Sequence, residues 1–219
     1  MNERVRVYLT LFLFICSMKY TAIIFDLGGV LIDLDYQKTI DAFVQLGMNN
    51  FETIYSQAAQ QKLFSDYETG QISTQYFINQ LLPFLKPGTS PNKVVEAWNK
   101  MILTVPTQKI ALLEKLKTDF PLFLLSNTNE LHVPVVRKEW AKVTDKPMES
   151  FFNTIYFSHE LHQRKPDISI FETVCLRENL EPKTTLFIDD SIQHIEGAAS
   201  MGLQTYHLKE SSDLYQFFS

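Results

Sequence analysis

Short apolar runs bounded by turn residues alternate along this chain with segments whose apolar positions recur every three or four residues. Thr21 to Phe25 is β-branched and aromatic and stops at Asp26-Leu27-Gly28-Gly29, the pattern of a strand buried on both faces and ended by a turn. Leu122 to Leu125, Thr154 to Phe157, Thr185 to Ile188 and Gln204 to His207 read the same way. Between them, helical spacing predicts helices over Thr107 to Thr118, Ile168 to Asn179 and Ile192 to Met201, the last halted by Gly202. Leu131 onward is expected to be less regular, and Trp140 to Pro147 to be loop-rich. Strands alternating with helices imply an α/β fold, a doubly wound parallel sheet with right-handed crossovers.

One stretch breaks the alternation. From Tyr36 to about Met101 the spacing is helical throughout, with Ile40, Phe43, Val44, Tyr76, Phe77 and Leu81 as its apolar positions. Gly47, Gly70 and Pro87-Gly88 divide it. It is expected to be a small bundle of four or so helices inserted after the first strand. The chain thus divides into a core over 18–35 and 105–219, a helical insert over 36–104, and an apolar extension over 1–17.

Composition narrows the choice of partner. A formal net charge of −5 argues against nucleic acid, whose backbone selects basic surfaces. Cys16 and Cys175 have no metal-ligand spacing, so a disulfide framework is not expected and a reducing, cytoplasmic location is. Cys175 reads as a small core residue. Val7 to Cys16 follows Arg4 and Arg6, as in a secretory signal, but is shorter than the about 20 residues that cross a membrane. No small-residue cleavage site follows it, and Met18 stands just before the first strand. Residues 1–17 are therefore read as an upstream extension rather than a targeting signal or anchor.

Four segments supply chemistry. Asp26 ends the first strand, Ser126 and Asn127 end the second, Lys165 lies in Arg164-Lys165-Pro166, and Asp189-Asp190 ends a later strand. In a parallel sheet such strand ends converge on one edge. Asp26 could attack a phosphoryl group and form an aspartyl-phosphate; its plainer reading is a turn cap. Two adjacent carboxylates suit a divalent cation such as magnesium, although Asp190 or Ser191 could equally cap the next helix. Lys165 could offset charge as it builds on nucleophile and phosphate, or be a solvated lysine. Ser126 and Asn127 could bind phosphate oxygens, or simply form the turn.

Taken together, these segments resemble the haloacid dehalogenase-like superfamily over about residues 20–207. Asp26 matches the family nucleophile, Ser126 the motif-two hydroxyl, Lys165 the motif-three lysine, and Asp189 with Asp190 the acidic fourth motif. The insert sits where subfamily I members carry their cap domain. Phe25 to Gly29, Leu125 to Asn129, Arg164 to Pro166 and Asp189 to Ala198 resemble more narrowly the branch containing α-D-glucose-1-phosphate phosphatase. The resemblance implies a Rossmann-like core and a magnesium-dependent phosphatase of a small phosphorylated metabolite, such as a sugar 1-phosphate. It implies Asp26 and Lys165 as catalytic residues, and Ser126, Asn127 and Lys165 as phosphate ligands. Asp26, the Gly28 carbonyl, Asp189 and Asp190 would hold Mg2+.

Two positions depart from the family pattern. Where phosphatases usually carry a second Asp as general acid and base, this chain has Gly28, which cannot protonate a leaving group; such proton transfer contributes typically 10²–10⁴-fold. His194 stands where the family has Asp or Asn, and as a softer ligand than magnesium prefers it is expected behind the metal ligands or exposed. His159, Glu160 and His162 could supply alternative proton transfer or form a polar loop. Asp33 and Asp35 could touch substrate or stabilise the hinge to the insert. A hydrolytic dehalogenase and a catalytically weak phosphate-binding protein remain the alternatives.

Overall fold

A computed structural model describes residues 20–48, 62–210 and 212–219. The expected extension over 1–17 and part of the insert, 49–61, lie outside the described residues. Five strands, β1 (Ala22–Phe25), β2 (Leu122–Ser126), β3 (Thr154–Phe157), β4 (Thr185–Asp189) and β5 (Gln204–His207), form one sheet in the order β3-β2-β1-β4-β5. Every pairing is parallel, with Ile24 of β1 opposite Phe123 on one side and Phe187 on the other. Strand order reverses at β1, so the crevice beyond the ends of β1, β2 and β4 lies at the switch point where ligands bind in such sheets.

Side chains alternate across the sheet because the strand period is two. Ile23, Phe25, Leu122, Leu124, Leu186 and Ile188 enter one core, with Trp140 and Phe151. Ala22, Ile24, Phe123, Leu125 and Phe187 enter the other, with Phe171, Val174 and Cys175. Both faces are covered, which is why these strands are apolar at nearly every position.

The helices are α1 (Tyr36–Gln45), α2 (Leu63–Glu68), α3 (Thr74–Leu81), α4 (Pro91–Trp98), α5 (Thr107–Leu116), α6 (His132–Trp140), α7 (Ser158–Leu161), α8 (Ile168–Glu178), α9 (Ile192–Ser200) and α10 (Asp213–Phe217). Three short ones escaped the sequence reading: α7, α10 and the nine-residue α6. The irregular stretch expected after Leu131 is in fact α6. Its Val133, Val136 and Trp140 are buried at helical spacing, and Pro134 falls in the first turn, where the missing N–H has no intrahelical partner to lose.

Between β1 and β2, α1 to α4 close on a third core built from Phe43, Tyr67, Phe77, Leu81, Val94 and Trp98. Phe77 is stacked on Tyr67 at 4.2 Å and meets Trp98 edge-on at 4.9 Å, both favoured aromatic geometries. Val44 and Tyr76, expected on the apolar face, point outward at 41% and 51% exposure. Two antiparallel connectors join the insert to the sheet: Leu34 bridges Ile102, Asp33 N–H donates to Thr104 O at 2.9 Å, and Asp35 N–H donates to Met101 O at 2.8 Å. Asp35 also caps α1 by accepting the Gln37 N–H. Among the described residues, no helix is long and apolar enough to cross a membrane.

Candidate active site

At the carboxyl ends of β1, β2 and β4, buried polar groups stand on the apolar sheet. Asp26 is the residue after β1, and its own N–H donates to Ile188 O at 2.9 Å, so the backbone under the carboxylate is still held by the sheet. Lys165, wholly buried, donates from Nζ to Asp26 Oδ1 (2.5 Å), Asp189 Oδ2 (2.6 Å) and Leu125 O (3.0 Å). An ammonium has three protons, and all three have acceptors here. The solvated-lysine reading is therefore excluded. Lys165 does not line the cavity above; it links Asp26, Asp189 and β2 from below.

Asn127 makes contacts that the sequence did not show. Its amide nitrogen donates to Lys165 O and its amide oxygen accepts the Lys165 N–H, both at 2.9 Å. The side chain thus clamps the lysine backbone. Asn127 lines the cavity, as do Ser126, Gly28, Asp26 and Asp190.

Asp189 and Asp190 divide their roles. Asp189 is fully buried, and besides Lys165 it accepts the Ser191 N–H at 2.8 Å and faces His194 Nδ1 at 3.0 Å. Asp190 is exposed to the cavity and does not cap α9, whose N-terminus has no side-chain cap. Oxygens of Asp26, Asp189 and Asp190 lie within 4.8 Å of one another. Gly29 lets this happen: its φ is +71°, and a Cβ there would collide with the Asp190 carboxylate.

The electrostatics reflect three carboxylates around one ammonium. Burial pushes the Asp26 carboxyl up to about 7, with the charges of Asp189 and Asp190 adding to the effect and Lys165 opposing it. Burial acts on Asp189 in the same direction, but Lys165 and His194 outweigh it and hold that carboxyl down near 2. Burial and Asp189 also raise Asp190.

Above this floor opens a cavity of about 800 Å³, walled on the insert side by Ile40, Phe64, Glu68 and Trp98. His194 lines it directly, with Nδ1 3.0 Å from Asp189 Oδ1. His159, Glu160 and His162 do not line it; they form α7 and the turn after it, where His162 Nδ1 lies 2.9 Å from Thr69 O of the insert.

The sequence profile of haloacid dehalogenase-like hydrolases matches residues 23–208, from β1 to just beyond β5. The chain belongs to this family. A D-ribitol-5-phosphate phosphatase from Bacteroides thetaiotaomicron is 27% identical over 194 residues, 89% of this chain and 94% of the relative. A crystal structure of a HAD family enzyme from the same bacterium matches with a TM-score of 0.86 at 32% identity, covering 91% of this chain and 98% of that one. Another, of the wild-type protein in complex with magnesium and inorganic phosphate, gives 0.84 at 32% identity over 91% and 100% of the two chains.

Several residues of this HAD-like hydrolase that shape the site gave no signal in the sequence. Lys109 at the start of α5 is buried and donates to Val30 O, bracing the loop after Asp26, with Asp33 3.9 Å away. Burial lowers its pKa, and Asp33 and Asp190 counter that. Asn129 gathers a second network, accepting from the Leu131 and His132 N–H groups and pairing with His132 Nδ1 at 3.1 Å. His132 Nε2 faces Trp98 O of the insert at 3.3 Å, so the neutral Nε2–H tautomer satisfies both partners. Burial accordingly holds this imidazole down near 4. Only the helical period around Val133 and Val136 could have located His132 on a core helix.

Proposed function

We propose that this HAD-like hydrolase is a magnesium-dependent phosphatase of a small phosphorylated metabolite, a sugar or polyol phosphate, acting through an aspartyl-phosphate. The observation that carries this reading is the convergence of Asp26, Asp189 and Asp190 within 4.8 Å around a single buried lysine. Three hard carboxylates with one positive partner suit a divalent cation, which prefers oxygen ligands. Burial is the main cause of the upward push on Asp26, Asp189 and Asp190 add to it, and a cation there would oppose it. Asp26, Asp190 and the Gly28 carbonyl would hold Mg2+, with Asp189 beside it and turned to Lys165. The ion would supply charge stabilisation for the transferring phosphoryl group.

The protein groups do the rest. Asp26 attacks phosphorus while Lys165, held by Asn127, fixes its direction and keeps Asp189 in place. Ser126 and the backbone of the Asn127–Thr128 turn face the phosphoryl oxygens. Residues 18–35 and 105–219 form this core, and the insert over 36–104 serves as a cap that closes the cavity to water and selects the leaving group. A relative named as a D-ribitol-5-phosphate phosphatase supports a polyhydroxylated substrate. The scarcity of cysteine fits work in the reducing cytoplasm.

Phosphate release from a panel of sugar and polyol phosphates tests the proposal. Turnover is expected with Mg2+, is expected to vanish with chelator, and to fall on the order of 10⁴-fold or more in Asp26→Asn. Chelator-insensitive turnover, or an Asp26→Asn protein as active as the parent, would end it.

A further inference from the structure

We infer that Glu68, carried by the insert, is the proton donor and acceptor that residue 28 cannot be. The inference rests on the phosphatase reading above. The leaving alkoxide of a sugar or polyol phosphate is strongly basic and needs a proton, and Gly28 has none to give. Among the described residues, the other carboxyl and imidazole groups lining the cavity have prior engagements. Asp26 is the nucleophile, Asp190 belongs to the acidic cluster, His194 Nδ1 faces Asp189, and both ring nitrogens of His132 are bound. Glu68 is the carboxyl left.

Its setting suits the task. The side chain lines the cavity and is only 27% exposed, and Oε2 is buried with no hydrogen-bond donor. The ion pair it makes with Arg164 Nη2 is 3.2 Å long, and Arg164 Nε also lacks a hydrogen-bond partner. Burial pushes the Glu68 carboxyl up, with Arg164, His194 and Lys165 as the opposing charges, which favours a group that both gives and takes a proton.

The backbone beneath Glu68 is fixed by the core rather than by the insert alone. Ser158 Oγ donates to Glu68 O at 2.6 Å and accepts the Thr128 N–H at 2.9 Å, so one hydroxyl ties the phosphate-facing turn to the insert. Two residues on, Gly70 has φ +64° and its backbone lies so close to His159 O that a Cβ would collide with it. Thr74 Oγ1 donates to Glu130 Oε2 at 2.5 Å. Such bracing keeps a catalytic group in a productive geometry.

In the first step Asp26 forms a bond to phosphorus, the bond from phosphorus to the leaving oxygen breaks, and Glu68 gives that oxygen its proton. In the second, water attacks the phosphorus of the aspartyl-phosphate and passes a proton to the Glu68 carboxylate. The bond to Asp26 then breaks, releasing inorganic phosphate and restoring both side chains.

Glu68→Gln and Arg164→Gln, each assayed with Mg2+ on D-ribitol 5-phosphate and on p-nitrophenyl phosphate, test the assignment. The nitrophenolate leaves without a proton, so the first step should survive in Glu68→Gln. Turnover of the polyol ester should fall about 10²–10⁴-fold. With the aryl ester, a burst of one equivalent of nitrophenolate should precede a slow steady state, as the phosphorylated Asp26 accumulates. Arg164→Gln, which keeps the carboxyl, should show no burst. An equal loss on both esters without a burst in Glu68→Gln, or a burst in Arg164→Gln, would assign Glu68 a purely structural part and overturn the inference. A wild-type protein that releases phosphate from neither ester would remove the phosphatase reading, and this inference with it.

Discussion

The floor and the roof of the cavity are built on different principles. On the floor, Lys165 joins Asp26 and Asp189 with hydrogen bonds of 2.5 and 2.6 Å, and the side chains sit on strands buried on both faces. On the roof, Phe64, Phe77 and Trp98 pack ring against ring, and the polar groups that link roof to floor, such as Asn129 and His132, mostly satisfy one another. The floor concentrates negative charge of the kind a divalent cation balances. Where the two meet, Glu68 of the insert pairs with Arg164 of the core, and among the described residues Glu68 Oε2 and Arg164 Nε have no hydrogen-bond partner.

Perturbing the floor should have the larger effect. Lys165→Met leaves Asp26 and Asp189 buried without their shared cation, and losing one partner of a buried charge pair costs about 3–5 kcal/mol. Urea unfolding should show that loss, and added Mg2+ should restore part of it. A variant as stable as the parent would show that the lysine is not what holds the floor together.

The joint between the regions should respond to pH. His132 sits near 4 in the folded chain, against an unfolded value of about 6.5. Its neutral form is thus favoured by folding. Stability is complete above about pH 6.5 and falls as the unfolded chain takes up a proton, until the folded ring also protonates near 4. Unfolding at pH 7.5 and pH 4.5 should differ by roughly 2 kcal/mol more in the parent than in His132→Gln. Equal differences would mean that burial does not hold the imidazole neutral.

The roof itself should give the smallest effect on chemistry. Trp98→Phe keeps the aromatic stack and removes the long indole contact to Asn129 Oδ1 at 3.5 Å. KM for a polyol phosphate is expected to change several-fold while kcat stays within about twofold. A fall in kcat larger than the change in KM would show that the roof takes part in the reaction beyond Glu68.

Much of the fold was legible because buried parallel strands leave a plain trace. The predicted strand ends differ from the structure by at most one residue at β1, β2 and β4 and not at all at β3 and β5. The α6 helix was not legible, since Pro134 interrupts its pattern and only the three-dimensional start of the helix makes that proline harmless. Of the site, Asp26 and the acidic pair stood out by position after apolar runs, and Lys165 by its place in Arg164-Lys165-Pro166. The clamp that Asn127 makes on Lys165 was not legible, because no spacing tells whether an amide reaches a backbone 38 residues away.

The sequence by itself determined a sheet of five strands, a helical interruption after the first, and four chemical segments at strand ends or in a loop. Periodicity and turn residues are local properties, and they suffice for that. Only the tertiary structure decided that Lys165 is spent entirely on protein acceptors, that Asp189 and Asp190 face different ways, and that Glu68 from the insert reaches the same cavity as Asp26. Those outcomes depend on which hydrogen-bond partners burial leaves within reach, and that is a property of packing between distant segments rather than of any one of them.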